Sequence, residues 1–144
     1  MKKIFFTLII LFFLSASYAQ ILNPVKFDYS VVKKGSNLYE VRIKTLLQPK
    51  WHIYSIKNPE GGAEPTKIKI NEGSSVGATR EMGKLKTTYE KEFNVNQKFY
   101  EGSVDFVQLV KLNSGDKITG NISYMVCNDK QCLPPKEVEF KIKL

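Results

Sequence analysis

Along most of this chain, apolar and polar residues take turns. Val25, Phe27, Tyr29 and Val31 are separated by single residues of another kind. Tyr39, Val41 and Ile43 alternate with Glu40, Arg42 and Lys44, and Val138, Phe140, Ile142 and Leu144 alternate with Glu139, Lys141 and Lys143. Successive side chains of a strand point to opposite faces, so each run describes a strand with one face on a core and one in water. Ile68 and Ile70 mark a shorter strand. Val104–Leu112 and Ile118–Val126 read as a hairpin closed by Asn113-Ser114-Gly115-Asp116. Lys57–Pro65 (KNPEGGAEP) is a loop by composition. Gly73–Asn96 is mostly polar and keeps no period, so it reads as a long irregular connection with at most a short strand; such loops are often functional. Seven or eight short strands with turns between them predict an all-β fold, an antiparallel β-sandwich, with a small barrel as the other solution.

The first residues break this rule in a different way. Lys2 and Lys3 precede an apolar run from Ile4 to Leu14, and Ser17-Tyr18-Ala19 supplies a small-x-small cleavage pattern. That order is the order of a secretory signal peptide, cleaved after Ala19. The run is short of the roughly 20 residues a membrane span needs. Residues 20–144 are then expected to form one exported domain, with no membrane span of its own. The formal net charge of +8 falls to about +6 without Lys2 and Lys3. Its lysines are dispersed, which fits a solvated surface and gives no nucleic-acid footprint. A monomer is expected.

Export places the two cysteines, Cys127 and Cys132, where disulfides persist. They stand in YMVCNDKQCLPPKEV, Tyr124–Val138. Cys127 ends a strand, on the face away from Ile122 and Tyr124, and Cys132 precedes the last strand. The turn Asn128-Asp129-Lys130-Gln131 joins them, so the hairpin brings their Cα atoms within the roughly 4.4–6.8 Å of a disulfide. Pro134 and Pro135 donate no ladder hydrogen bonds and hold this end at a rim, open to a partner. A zinc site needs four ligands, and the sole histidine, His52, makes a third at best, so no metal and no other cofactor is expected. A structural staple is the plain expectation for two cysteines in an exported chain. Closing so short a loop, however, stabilises by only about 2 kcal/mol, against nearly 5 for a loop of about 100 residues. Short-range pairs on exposed turns are also the ones that exchange. The residues alone leave both open: a redox pair, or an inert disulfide in an exported binding or assembly module.

The same segment resembles the active-site hairpin of the N-terminal, periplasmic domains of thiol:disulfide interchange protein DsbD, a family also called disulfide bond corrector domains. KWHIYS (Lys50–Ser55), GGAEPT (Gly61–Thr66), YEGSVDFV (Tyr100–Val107) and the closing strand fall in that family's order. The resemblance implies an immunoglobulin-like sandwich and a reversible disulfide. That disulfide takes electrons from a thioredoxin-like donor and passes them to exported partners. It implies that Cys132 forms the mixed disulfide and Cys127 resolves it. It also implies a cap loop at Lys91-Glu92-Phe93, where Phe93 shields the sulfurs and Glu92 tunes their protonation, with His52 and Tyr54 beside the pair. Four residues lie between the cysteines here, against five in the best-known members. The family's membrane and thioredoxin-like domains do not follow Leu144, so the donor is expected in trans. Lys130 and Lys136 would favour a thiolate, Asp129 and Glu92 would oppose it, and the sequence leaves the sign open. His52 is placed to shuttle protons near neutral pH or simply to pack. Trp51 and Tyr54 read as core or rim aromatics.

Overall fold

The computed structural model describes residues 22–91 and 94–144; the expected signal peptide and the Glu92–Phe93 part of the expected cap lie outside them. Eleven strands run through the described residues: β1 (Val25–Lys33), β2 (Leu38–Leu47), β3 (His52–Tyr54), β4 (Lys67–Glu72), β5 (Ser74–Gly83), β6 (Lys86–Glu90), β7 (Val95–Glu101), β8 (Ser103–Lys111), β9 (Lys117–Tyr124), β10 (Val126–Cys127) and β11 (Lys136–Lys143). They form three antiparallel sheets with strand orders β1-β2-β8-β5, β10-β3-β7-β6 and β11-β9-β4.

The alternating rows decide how these sheets meet. Val41 and Ile43 of β2 and Val104, Phe106 and Val110 of β8 share one core with Ile53, Tyr100, Ile118, Ile122, Val126 and Phe140 from the other two sheets. Phe106, Ile53, Ile118 and Ile122 are wholly buried. The first sheet is therefore one layer, and the other two together are the second, giving the immunoglobulin-like antiparallel sandwich. One chain run links the two smaller sheets. β9 pairs with β11 and β4, and just past Met125 the same run, as β10, pairs with β3.

Two expectations are corrected. Val104–Leu112 and Ile118–Val126 are not a hairpin. β8 lies between β2 and β5, while β9 lies between β11 and β4. Both strands carry a core-facing row, and they bury these rows from opposite layers, with Leu112–Asp116 crossing between them. The Gly73–Asn96 stretch is not an irregular connection either, because it contains β5, β6 and the start of β7. β5 is an edge strand exposed along most of its length, and its pairing with β8 shifts register between Val76 and Arg80. A mostly exposed edge strand with an irregularity in it leaves no period of two in the sequence.

Glu81 of β5 also fixes the turn that follows β3. Its carboxylate accepts from the Ser55 hydroxyl at 3.0 Å and from the Ile56 N–H at 2.8 Å. Ser55 is fully buried, so its hydroxyl cannot turn to water. Glu81→Ala should lower stability by about 2 kcal/mol, as expected when buried donors lose a charged acceptor. The check is a urea midpoint that falls with the slope unchanged.

Candidate functional site

β10, β3, β7 and β6 turn one face to the core and the other outward. Val126, Ile53 and Tyr100 occupy the inner face. The alternate positions, Cys127, His52, Tyr54, Phe99 and Gln97, therefore face outward, and all of them line one cleft of about 340 Å³. Thr88, Tyr89 and Glu90 of β6 form its far wall. His52 is the ladder partner of Cys127 on one side and of Glu101 on the other.

The sulfurs close the near end of this cleft. Cys127 and Cys132 are bonded, with an S–S distance of 1.99 Å, and oppose each other as an antiparallel bridge. The ladder bonds fall on either side of them: Asn128 N–H donates to Gln131 O and Leu133 N–H to Val126 O, each at 2.9 Å. The cysteines are thus a non-hydrogen-bonded pair, the arrangement that brings opposing residues closest. Their Cα atoms stand 4.0 Å apart, nearer than the range expected from the hairpin. The Asn128 side chain caps the turn, accepting from the Lys130 and Gln131 N–H groups at 2.9 Å each. This local capping is why the four residues between the cysteines fold back so tightly.

The two sulfurs differ in access. Cys127 is 2% exposed, whereas Cys132 is exposed on the outer arm of the hairpin, as are Pro134 and Pro135. Trp51 and Tyr54 are buried, as expected for core or rim aromatics. His52 is half-buried. Its Nε2 lies 3.2 Å from the Tyr54 hydroxyl, and its ring packs against Phe99 with centroids 4.6 Å apart. Burial pushes the His52 pKa below its usual value, while Glu101 and Asp129 pull it up more weakly. Burial, helped by Glu90, pushes the Tyr54 hydroxyl up to about 12, so it stays protonated.

The sign of the local charge follows from which side chains line the cleft. Glu90, Glu101 and Asp129 do; Lys130 and Lys136 do not. Lys86 is held by Glu101 at 2.6 Å. The lining charges without a cationic partner among the described residues, Glu90 and Asp129, are both negative and oppose a thiolate. Among the described residues, no group of three or more histidine, cysteine or carboxylate side chains is placed to hold a metal, and no helix is long and apolar enough to cross a membrane. Phe99, Glu101, Glu90, Thr88, Tyr89 and Gln97 were missed by the sequence reading. Only the alternation of Phe99 and Glu101 around Tyr100 hinted at a shared face.

Comparison with known proteins supplies the remaining findings. The family model described as thiol:disulfide interchange protein DsbD, N-terminal, matches residues 19–144. The N-terminal periplasmic domain of ScsB from Proteus mirabilis superposes with a TM-score of 0.66 at 15% identity, over 85% of this chain and 47% of that one. This chain thus spans about half the length of that structure. The Neisseria meningitidis DsbD n-terminal domain in the reduced form gives 0.54 at 19% identity, over 85% and 90%. The complex between the DsbD N-terminal and PilB N-terminal domains from Neisseria meningitidis gives 0.60 at 16% identity, over 85% and 87%. At these identities the likeness is one of fold. No curated protein matches the chain.

Proposed function

Because the chain belongs to the family of N-terminal domains of thiol:disulfide interchange protein DsbD, we propose that it carries out thiol–disulfide exchange in the periplasm. In this reading it passes reducing equivalents from a thioredoxin-fold donor, supplied in trans, to exported partner proteins. The observation that carries the proposal is the unequal access of the bonded sulfurs, one 2% exposed and the other on the surface. A structural staple has no use for that inequality. An exchange site requires it, since one sulfur must meet a partner and the other must stay out of reach.

Loading proceeds by attack of a donor thiolate on Cys132 Sγ. The Cys127–Cys132 bond breaks, Cys127 leaves as a thiolate that is then protonated, and the donor's second thiol releases the reduced pair. Unloading reverses the roles: the Cys132 thiolate attacks a partner disulfide, and Cys127 then attacks Cys132 and expels the partner as a dithiol. Two electrons move at each stage. His52 and Tyr54 border the pair in this scheme, with Phe93 shielding the sulfurs and Glu92 tuning their protonation, as the family resemblance implies. That a domain of this fold from Neisseria meningitidis forms a complex with a PilB N-terminal domain supports a protein, not a small molecule, as the visitor. The domain acts as a monomer, exported by a signal peptide cleaved after Ala19.

Cys127→Ala provides the test. With no resolving thiol, Cys132 should hold a partner as a mixed disulfide that survives non-reducing electrophoresis and disappears with reductant. The wild-type pair should also equilibrate with glutathione, at a reduction potential above about −300 mV. A lower potential together with no trapped adduct would reduce the protein to an exported β-sandwich module with an inert bond.

A further inference from the structure

Exchange at this cleft requires Cys127 to lose a proton where the surroundings oppose it. Among the described residues, the charged side chains that line the site are Glu101 from β7, Glu90 from β6 and Asp129 from the hairpin turn, and the neighbouring Lys86 of β6 is paired with Glu101. A buried thiol among carboxylates resists ionisation, yet only the thiolate attacks a disulfide. A thiol with an ordinary pKa is roughly 3% ionised at pH 7, so a proton must usually leave Cys127 before it can attack. His52 is the one imidazole of the chain. It is the ladder partner of Cys127 and shares the cleft with both sulfurs. With the Nε2–H donating to the Tyr54 hydroxyl oxygen, Nδ1 is the nitrogen left to accept a proton.

We infer that His52 is the proton acceptor of the resolving step, removing the Cys127 proton while Cys132 is joined to a partner. The inference rests on the exchange reading above. Cys127 Sγ–H transfers its proton to His52 Nδ1, and the thiolate attacks Cys132 Sγ. The Cys127–Cys132 bond forms as the bond from Cys132 to the partner sulfur breaks. The electron pair leaves on the partner thiolate, and the imidazolium returns its proton to that sulfur or to solvent. Three features suit His52 to this step. Burial keeps it neutral at pH 7, as an acceptor must be. Glu101 and Asp129 stabilise the imidazolium once it forms. The Tyr54 hydroxyl and the Phe99 ring fix the plane of the imidazole.

Reduced protein mixed with 5,5′-dithiobis(2-nitrobenzoate) separates the two steps. The exposed Cys132 takes one thionitrobenzoate, releasing the first coloured equivalent, and Cys127 then expels the second. In the wild type the second phase should hold its rate from the thiol range down to below pH 6.5, and fall only as His52 becomes protonated. In His52→Gln the second phase should be about tenfold slower at pH 7 and lose that plateau, declining directly with thiol ionisation. The first phase, attack by the exposed Cys132, should change far less than the second, and an unchanged urea midpoint reports that the variant is folded. Imidazole added to His52→Ala should restore the second phase. A second phase in His52→Gln that stays within twofold of wild type, with the same pH profile, overturns the assignment. A wild-type protein with no second phase at all overturns the exchange reading instead.

Discussion

Serine in place of Cys132 should leave a folded protein with no detectable turnover in the reduction of a peptide disulfide by a thioredoxin-type donor. In the proposed exchange the exposed sulfur is the atom that donor and acceptor reach, and Cys127, at 2% exposure, cannot substitute for it. Cys127→Ser should differ in kind: it should form one equivalent of mixed disulfide and stop. Both variants open the same short loop, so both should lose about 2 kcal/mol of stability. Turnover that survives in Cys132→Ser and vanishes in Cys127→Ser would reverse the two roles and remove the basis of the proposed mechanism.

Gly120→Val should be the most damaging change to the fold that leaves the cleft untouched. Gly120 lies in the middle of β9, paired with Phe140 on one side and Ile70 on the other. A Cβ placed there would come within 2.4 Å of the Lys69 carbonyl oxygen and 2.5 Å of the Phe140 ring. The ring has little freedom, because it stacks on Tyr29 with centroids 5.3 Å apart, and the carbonyl belongs to the neighbouring strand. Backbone must move, at a cost of about 3 kcal/mol, a large part of the 5–15 kcal/mol of a typical domain. Urea unfolding followed by Trp51 fluorescence measures it. A loss below about 1 kcal/mol would mean that β4 and β9 are not held at this spacing.

The sequence and the structure agree where a residue's neighbours are close in the chain or its face is half-buried. Rows such as Tyr39-Val41-Ile43 and Val138-Phe140-Ile142 are legible because one side of each strand meets the core and the other meets water. The cysteine turn is legible because its partners are local, down to the Asn128 cap. β5 and β6 escaped notice because edge strands ask little of their side chains. The supposed β8–β9 hairpin failed because adjacency in sequence was taken as adjacency in a sheet, whereas two core-facing rows separated by a turn are equally satisfied by facing each other. The cleft floor is illegible for a related reason. His52 meets Cys127, and Glu101 meets His52, only through long-range pairing of β10, β3 and β7. No periodicity records that pairing. The balance of charge around the sulfurs followed from the same pairing. Lys130 and Lys136 are near in sequence and absent from the cleft, while Glu90 and Glu101 are distant in sequence and present.

The backbone bonds that flank the cysteines, Asn128 to Gln131 and Leu133 to Val126, involve no sulfur atom, so opening the disulfide breaks neither of them directly. In the proposed exchange the reduced thiols should therefore stay face to face, and Cys127 should meet an adduct on Cys132 as a pre-aligned intramolecular nucleophile, at an effective molarity of about 10⁵ M. A foreign sulfur attached to Cys132 is then a fleeting passenger: once the Cys127 proton is gone, release outruns the diffusion of any competing thiol. In the proposed exchange, the hairpin's geometry would keep each covalent encounter brief and free the same molecule for the next partner.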